Sequence, residues 1–305
     1  MILATGTWDE IRTAYHVARA GTVSGAADAL GVHHATVIRH VDALEERLGV
    51  RLFQRHARGY TPTEAGAELL AVARAADERF EQMAGRLRGQ GEAVTGELVV
   101  TSLEALSPLL TPALIAFRGE HPGLGVRYLT GALVLRLEYG EAHVAVRAGA
   151  RPEDPDYVVQ PFMPQQVGLY AARSYLDRRG VPDEGELAVH DFASMDDVDG
   201  RAPYQRWLAA NVPAERIVFR ANDPAVLLRA IRCGAGLGFL PTWVTAEEGG
   251  LVQVLPPRPD WGAPLWLVTH VDLHRTPKVQ AFLRFLKARA KDWERPAAAR
   301  EAAPG

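Results

Sequence analysis

Residues 22–66 constrain the fold of this chain more than any other segment. They read TVSGAADALGVHHATVIRHVDALEERLGVRLFQRHARGYTPTEAG. Gly31 separates a short helical pattern from a longer one that ends at Gly49, and glycine readily adopts the backbone of such turns. The segment therefore predicts two helices that are joined by a tight turn and followed by a basic hairpin.

A further helix precedes this segment. Thr7 and Glu10 have the spacing of a capping box, and the apolar residues that follow recur at helical spacing until Gly21. Ser24 is the predicted N-cap of the second helix, and the third helix is predicted over 35–48. Helices in this order before a basic hairpin are typical of a winged helix-turn-helix, whose third helix enters the major groove of DNA.

The third helix has one apolar face and one mixed face. The apolar stripe, which is predicted to be buried, consists of Val37, Val41, Leu44 and Leu48. On the other face, Arg39 is predicted to reach a guanine edge or a phosphate. Two interpretations of Ile38 stay open, since it can touch a thymine methyl group or pack against the second helix.

The basic segment after the third helix is the predicted wing. Apolar residues alternate over 50–53, and residues 55–60 form a basic, glycine-containing loop that can grip the DNA backbone or minor groove. A surface hairpin without DNA contact is the simpler alternative. The predicted DNA contacts are Ser24, His33, His34, Ala35, Thr36, Ile38, Arg39, Arg55 and Arg58.

Charge supports DNA binding only locally. The formal net charge of the chain is −3. Residues 33–60, however, carry five arginines against three acidic residues, a local charge of +2 before the histidines are counted. A patch of this size suits a dimer that places two patches on one duplex. The spacing of His33, His34 and His40 does not suit a tetrahedral metal site, so no metal is predicted.

Bulk properties indicate a multidomain globular protein. A chain of 305 residues predicts two or three domains, and the apolar fraction of 48% is ordinary. No apolar run approaches the ~20 residues that span a bilayer, and the first residues lack the pattern of a secretory signal. With a single cysteine, Cys233, a cytoplasmic and nucleoid-associated protein without a membrane partner is expected.

Residues 63–92 predict one long linker helix. Its apolar residues recur at heptad spacing, which requires a partner surface, and a second copy of the helix is the predicted partner. Packing against the C-terminal domain of the same chain is the alternative. Gly85, Gly89 and Gly91 predict a hinge at its end. The predicted dimerisation residues are Leu69, Ala73, Ala76, Phe80, Met83 and Leu87.

From Glu97 onward, strand patterns alternate with helix patterns, which predicts a parallel sheet with crossover helices. The chain is predicted to form two α/β lobes, with lobe I over about 93–162 and 265–293 and lobe II over about 163–264. Ligands in such folds bind at the carboxyl ends of strands. The predicted effector contacts are Thr101, Ser102, Thr130, Gly131, Arg147, Gly149, Asn222 and Asp223.

Each of these residues also has a structural alternative. Ser102 and Thr130 can cap the following helices, and Arg147 can pair with an acid such as Glu138 or point to solvent. Arg147 is otherwise the candidate for bidentate pairing with a carboxylate. The Gly-rich stretch 236–241 lacks the Lys-Ser/Thr of a phosphate loop, and no nucleophile-elbow or zincin motif is present. No catalytic residue is therefore predicted.

The N-terminal segment closely resembles the LysR-type transcriptional regulators of bacteria. The matching residues are Ala26-Ala27, Leu30, Val32, Arg39, Leu44-Glu45, Leu48-Gly49, Leu52-Phe53, Arg55, Arg58, Thr63 and Ala65-Gly66.

The resemblance implies a linker helix that pairs two subunits and a two-lobed effector domain similar to periplasmic solute-binding proteins. It also implies that Ser102 and Thr130 donate hydroxyl hydrogen bonds to a small organic effector. The expected partners are double-stranded DNA, the effector and the chain itself, as a homodimer or homotetramer, with RNA polymerase as a further candidate.

The chain departs from the family pattern at the start of the third helix. His33-His34-Ala35 stands where the family usually has a Ser-Gln-Pro-like sequence, and Ile38 stands where a small polar residue is common. These changes preserve the predicted fold but alter the face that reads DNA bases.

Together these patterns predict a DNA-binding domain at 1–62, a dimerisation helix at 63–92, an effector-binding domain at 93–293 and a disordered tail at 294–305. The predicted function is a ligand-responsive transcriptional regulator without cofactor or catalysis. The alternatives are a small-molecule-binding module that serves transport and an enzyme on the two-lobed fold.

Overall fold

The computed structural model describes residues 7–56, 59–87, 94–131, 135, 137, 140–196, 202–246 and 250–293. The chain divides into two compact units. We call residues 7–87 the head and residues 94–293 the C-terminal domain. None of the described helices is both long and apolar enough to cross a bilayer. The predicted hinge glycines Gly89 and Gly91 and the predicted tail at 294–305 lie outside the described residues.

The head has the predicted winged helix-turn-helix fold. Its core lies between the first three helices and the wing hairpin, around Val17, Val37, Val41, Leu44 and Leu52. The wing strands pair antiparallel. The elements are α1 (Thr7–Ala20), α2 (Val23–Leu30), α3 (His34–Leu48), β1 (Phe53–His56), β2 (Gly59–Pro62) and α4 (Glu64–Leu87).

The predicted N-cap of α2 was wrong. Helix α2 begins at Val23, so the residue in capping position is Thr22, whose side chain accepts a hydrogen bond from the N–H of Gly25 at 3.1 Å. Ser24 therefore lies inside α2. The capping box of α1 stays a prediction, because the side chain of Thr7 lies outside what the structure describes; the carboxylate of Glu10 pairs with Arg47 at 3.1 Å.

Two burial predictions in the head also fail. Leu48 is 39% exposed although it continues the stripe of α3, because that helix ends there. Leu52 and Phe53 are both buried while Val50 is 46% exposed. The alternation predicted over 50–53 is absent because the first strand of the wing begins only at Phe53.

The C-terminal domain contains more elements than the sequence pattern predicted. The strands at Phe192–Met195 and Leu251–Leu255 and the helix at Thr242–Ala246 were missed. The elements are β3 (Gly96–Ser102), α5 (Ser107–Glu120), β4 (Leu124–Thr130), β5 (Val144–Ala148), β6 (Tyr157–Pro164), β7 (Val167–Ala172), α6 (Arg173–Arg179), β8 (Phe192–Met195), α7 (Pro203–Asn211), β9 (Ile217–Ala221), α8 (Pro224–Arg232), β10 (Gly238–Pro241), α9 (Thr242–Ala246), β11 (Leu251–Leu255), β12 (Pro264–His270), α10 (Val271–His274) and α11 (Pro277–Trp293).

Lobe I is built on a mixed five-stranded sheet of order β4-β3-β5-β12-β6. Strands β3, β4 and β5 are parallel, as predicted. The prediction of a wholly parallel sheet was wrong, because β12 runs antiparallel to β5 and β6. The chain leaves lobe I at the carboxyl end of β6 and returns to it at that same end of the sheet. Strand β12 therefore runs in the direction opposite to β5 and β6.

Lobe II has its own core. Strands β10 and β11 flank β7 in an antiparallel sheet, and β8 pairs with β9 in parallel. Phe239 packs against the ring of Trp261 with centroids 4.9 Å apart, and Trp207 completes this aromatic cluster. Helix α9 joins the lobes, since the indole N–H of Trp243 donates to the carbonyl of Ala105 at 2.9 Å.

Candidate DNA-binding face, pairing groove and effector cleft

The exposed face of α3 is continuous. Val37, Val41 and Leu44 are at most 1% exposed and turn toward the core. Four exposed residues lie three or four positions apart, so they share the opposite face; they are Ala35, Ile38, Arg39 and Asp42. Ile38 is 39% exposed, so part of its apolar side chain is open to solvent.

The start of α3 is exposed as well. His33 occupies the N-cap position without a side-chain capping bond, and His33, His34 and Ala35 are exposed while Thr36 is half-buried. His40 turns away from them, because its Nδ1 lies 2.9 Å from the hydroxyl of Thr13. Within the described residues, no group of His, Cys, Asp and Glu could hold a metal ion.

The wing is fixed by close backbone contact with α1. The N–H of Tyr60 donates to the carbonyl of Gly21 at 2.8 Å. A Cβ on Gly59, whose φ is +137°, would lie 2.2 Å from that carbonyl oxygen. Only glycine fits this approach. The wing therefore keeps a defined position beside the helices.

Arg55 joins the wing to α3. Its guanidinium pairs with Asp42 at 2.5 Å and with Glu45 at 2.9 Å, and it lies 5.3 Å from the ring centre of Tyr60. Its side chain is 33% exposed, and its predicted contact with DNA stays a prediction. Arg58, the other predicted wing contact, lies outside the described residues.

A buried carboxylate, which the sequence pattern did not reveal, joins α3 to the wing. Glu45 is 4% exposed. It accepts hydrogen bonds from the backbone N–H groups of Leu52 at 2.8 Å and Phe53 at 3.1 Å, and its other oxygen pairs with Arg51 at 2.7 Å. Burial alone would raise the pKa of Glu45, but the hydrogen bonds and Arg55 outweigh it, so the pKa lies below its ordinary value.

We expect Glu45→Gln to lower the free energy of unfolding of the head by about 1–3 kcal/mol at pH 7, because it weakens charge-assisted hydrogen bonds to buried donors. A carboxylate whose pKa is lower in the folded state than in the unfolded state stabilises the fold at every pH above its unfolded pKa. This stabilisation is lost as the pH falls through the folded pKa. The variant should therefore lose less stability than the wild type between neutral and acidic pH. Hydrogen exchange of head amides at two pH values measures both effects.

Glu46→Gln is the matched control, because Glu46 is the exposed neighbour of Glu45 on the same helix. It should leave exchange at pH 7 nearly unchanged. If Glu45→Gln and Glu46→Gln had equal effects, the buried carboxylate would not be what joins the wing to α3.

An apolar groove lies along α4 within the head. Its volume is about 900 Å³, and α1, the end of α3 and α4 form its walls. Phe80 is 52% exposed and meets the ring of Trp8 edge-on at 6.2 Å. The residues that line the groove include Trp8, Ile11, Tyr15, Leu44, Leu48, Val50, Leu52, Leu69, Val72, Ala73, Ala76 and Phe80.

The predicted dimerisation stripe follows this groove. Leu69, Ala73 and Ala76 are half-buried along it. Met83 is 45% exposed. The side chain of Leu87 lies outside what the structure describes. Large apolar side chains that stay exposed together mark a surface that binds another protein.

The predicted effector residues of lobe I meet at one edge of its sheet. Ser102 and Thr130 are register partners at the ends of β3 and β4, and Arg147 lies near the end of the neighbouring strand β5. Thr130 is exposed, whereas Thr101 and Ser102 are 3% and 4% exposed. The N–H of Gly131 donates to the carbonyl of Ser102 at 3.1 Å, which closes the turn after β4.

Ser102 is engaged within lobe I. Its hydroxyl lies 2.9 Å from the carbonyl of Leu103 and 2.6 Å from the hydroxyl of Tyr128, and either hydroxyl can be the donor of the second bond. Its predicted donation to an effector stays a prediction. Burial raises the pKa of Tyr128, so its phenol stays neutral. Ser102 does not cap the following helix.

Arg147 and Gly149 are engaged within lobe I. The guanidinium of Arg147 donates to the carbonyl of Leu135 at 3.2 Å, and burial lowers its pKa although the group stays charged at pH 7. Glu138, its alternative partner, lies outside the described residues. Gly149 bonds to β12 through its N–H, and its carbonyl accepts from the indole of Trp266 at 2.9 Å.

The two predicted residues of lobe II are exposed at the start of α8. Asp223 caps that helix, as its position before Pro224 predicted, and accepts from the N–H of Ala225 at 2.7 Å. Asn222 precedes it and is also exposed. Further along the same helix, Leu228 packs against the core of lobe I, so this helix faces the cleft between the lobes.

Comparisons with known proteins agree with this architecture. Residues 8–67 match the bacterial regulatory helix-turn-helix protein family lysR, and residues 91–291 match the LysR substrate binding domain. The transcriptional regulator IlvY of Escherichia coli strain K12 is 34% identical over 242 residues, covering 75% of this chain and 80% of that protein. A transcriptional repressor of Pseudomonas aeruginosa strain UCBPP-PA14 is 28% identical over 283 residues, 88% of each chain.

A solved structure shares the fold. Full-length CbnR in complex with its target DNA has a TM-score of 0.59 at 22% identity, covering 93% of this chain and 99% of that chain. The relatives are named as transcriptional regulators, which argues for regulation rather than catalysis. With both halves matched, the chain belongs to the LysR family of DNA-binding transcriptional regulators with an effector-binding domain.

Proposed function

We propose that two heads pair through the groove and the α4 stripe and place two α3 helices in successive major grooves of a palindromic operator. The observation that carries this proposal is the exposed face of α3, where Arg39 and Ala35 flank Ile38 opposite the buried residues Val37, Val41 and Leu44. His33, His34 and Thr36 extend this face to the helix N-terminus, which favours phosphate. Such a protein would act at the nucleoid, with RNA polymerase as a candidate partner.

A second surface supports assembly beyond a dimer. In the C-terminal domain, Ile115 on α5 is 69% exposed, and Val218 and Phe219 on β9 are 54% and 36% exposed. Among the strands that the structure describes, β9 pairs with β8 alone, and an exposed apolar edge strand favours association with another chain. We propose that this surface joins dimers into a tetramer.

The effector we propose is a small organic molecule at the strand ends of lobe I, without a cofactor. Thr130 supplies an exposed hydroxyl, and Arg147 supplies a half-buried cation that favours an acceptor group. Asn222 and Asp223, which are exposed at the start of α8, are the proposed contacts from lobe II. An effector that binds one arrangement of the two lobes better than another increases the population of that arrangement. We propose that each arrangement sets a different distance between the two DNA-binding heads, so that effector binding changes transcription.

The experiment that tests the DNA proposal is a mobility shift with the promoter DNA beside the protein's own gene, at two salt concentrations. Salt-sensitive binding at a site whose half-sites are one or more helical turns apart supports it. Absence of binding at low salt would contradict the assignment of α3.

We expect Arg39→Ala to weaken binding to that DNA by about 1–3 kcal/mol, or roughly 5–150-fold, with little change in folding because Arg39 is exposed. Titration at several salt concentrations identifies the contact. Loss of a phosphate contact lowers the salt slope by about one, whereas loss of a base contact leaves it unchanged.

Arg173→Ala is the matched control for this variant. It removes the same charge from an exposed position on α6 of the C-terminal domain, so the affinity should stay close to that of the wild type. Equal affinities of Arg39→Ala and wild type would place Arg39 away from the DNA.

A further inference from the structure

Ile38 is a large apolar side chain at the centre of a polar helix face. It is 39% exposed and does not belong to the core cluster of the head. Ala35 lies one turn before it and Asp42 one turn after it, and both are exposed. Asp42 is held by Arg55. The apolar surface that Ile38 and Ala35 share is therefore open in the free head.

The chemistry of the major groove offers one group that complements this surface. Among the four bases, only thymine carries a methyl group there, and aliphatic side chains contact it. Ile38 is β-branched, so its side chain is stiff and loses little freedom on contact. Arg39, the next residue, supplies a positive charge beside it, which favours DNA over an apolar protein partner.

We propose that Ile38 reads the 5-methyl group of a thymine in each operator half-site and thereby sets the sequence preference of this regulator. The proposal rests on the proposed entry of α3 into the major groove.

The test compares thymine with uracil, which differ only in that methyl group. Duplexes that the full-length wild-type protein selects from a random library are resynthesised with deoxyuridine in place of one thymine at a time. One thymine in each half-site should show the effect. Replacing that thymine by deoxyuridine in one half-site should weaken binding of the wild type about fourfold, and replacing it in both half-sites should weaken binding about fifteenfold. Ile38→Ala should bind both duplexes equally.

Two further variants separate this contact from general loss of binding. Arg39→Ala should bind more weakly but keep the wild-type ratio between thymine and uracil duplexes. Ile38→Val should keep most of that ratio, because valine retains the branched carbon. Circular dichroism and light scattering on Ile38→Ala establish that the variant is folded and has the wild-type mass.

Several results would overturn the inference. A wild type that is indifferent to uracil at every position would do so, as would an Ile38→Ala variant that keeps the wild-type ratio. A changed mass of Ile38→Ala would assign the side chain to a protein contact instead. If the library yields no specific duplex at all, the proposed DNA reading fails together with this inference, whereas specific but uracil-insensitive binding overturns this inference alone.

Discussion

Phe80→Asp is expected to halve the mass of the wild-type assembly and to weaken specific DNA binding by at least about 100-fold. The side chain is 52% exposed beside Trp8 and lies in the middle of the α4 stripe. A charge at that position would be moved from water into the interface of any dimer that uses the groove, where most of the lining side chains are apolar. In the free head it stays solvated, so the subunit should remain folded.

The loss of DNA affinity follows from the loss of pairing. Two linked heads bind the second half-site as an intramolecular event, and this avidity disappears when one head binds alone. Light scattering at micromolar concentration gives the mass, and a mobility shift gives the affinity. If the wild type is a tetramer, the variant should be a dimer, because the surface on α5 and β9 is untouched.

Val32→Asp separates the effect on pairing from the effect of a new charge. Val32 is 39% exposed in the turn before α3 and does not line the groove. This variant should keep the wild-type mass even if its DNA binding changes. An unchanged mass for Phe80→Asp would show that the subunits associate elsewhere, and the α4 stripe would then need another explanation.

The regular elements of the head were predictable because their signals are local. Helix α3 ends at Gly49, which adopts φ +71°, and its buried residues follow the helical period. The short strands β8 and β11 were missed because each has only four or five residues. Such segments are too short for a strand period to stand out, so long-range pairing decides them.

The chemistry of the site was less predictable than the fold, because it depends on partners far apart in sequence. The hydroxyl of Ser102 bonds to the carbonyl of Leu103 and to the hydroxyl of Tyr128, which is 26 residues away. In the sequence, Glu45 is only one of the acidic residues of a basic segment. In the structure, its buried carboxylate accepts hydrogen bonds from the backbone N–H groups of Leu52 and Phe53 at the start of the wing. Residue type alone does not reveal which polar groups the fold has already satisfied.

Val41→Asp is expected to unfold the head while the C-terminal domain stays folded. Val41 is 1% exposed in the core that α3 shares with α1 and α2. The substitution loses apolar burial and places an unpaired charge in that core, at a combined cost of about 5 kcal/mol. That is a large part of the ~5–15 kcal/mol by which domains are stable.

Hydrogen exchange measured by mass spectrometry tests this directly, since it reports on each unit separately. Peptides from residues 7–56 should lose protection in Val41→Asp, whereas peptides from 94–131 should keep it, and specific DNA binding should vanish. Ala29→Asp adds the same charge at an exposed position of α2 and should keep protection throughout. Retained protection of the head in Val41→Asp would mean that the stripe of α3 is not its core, and the opposite face could then no longer be assigned to DNA.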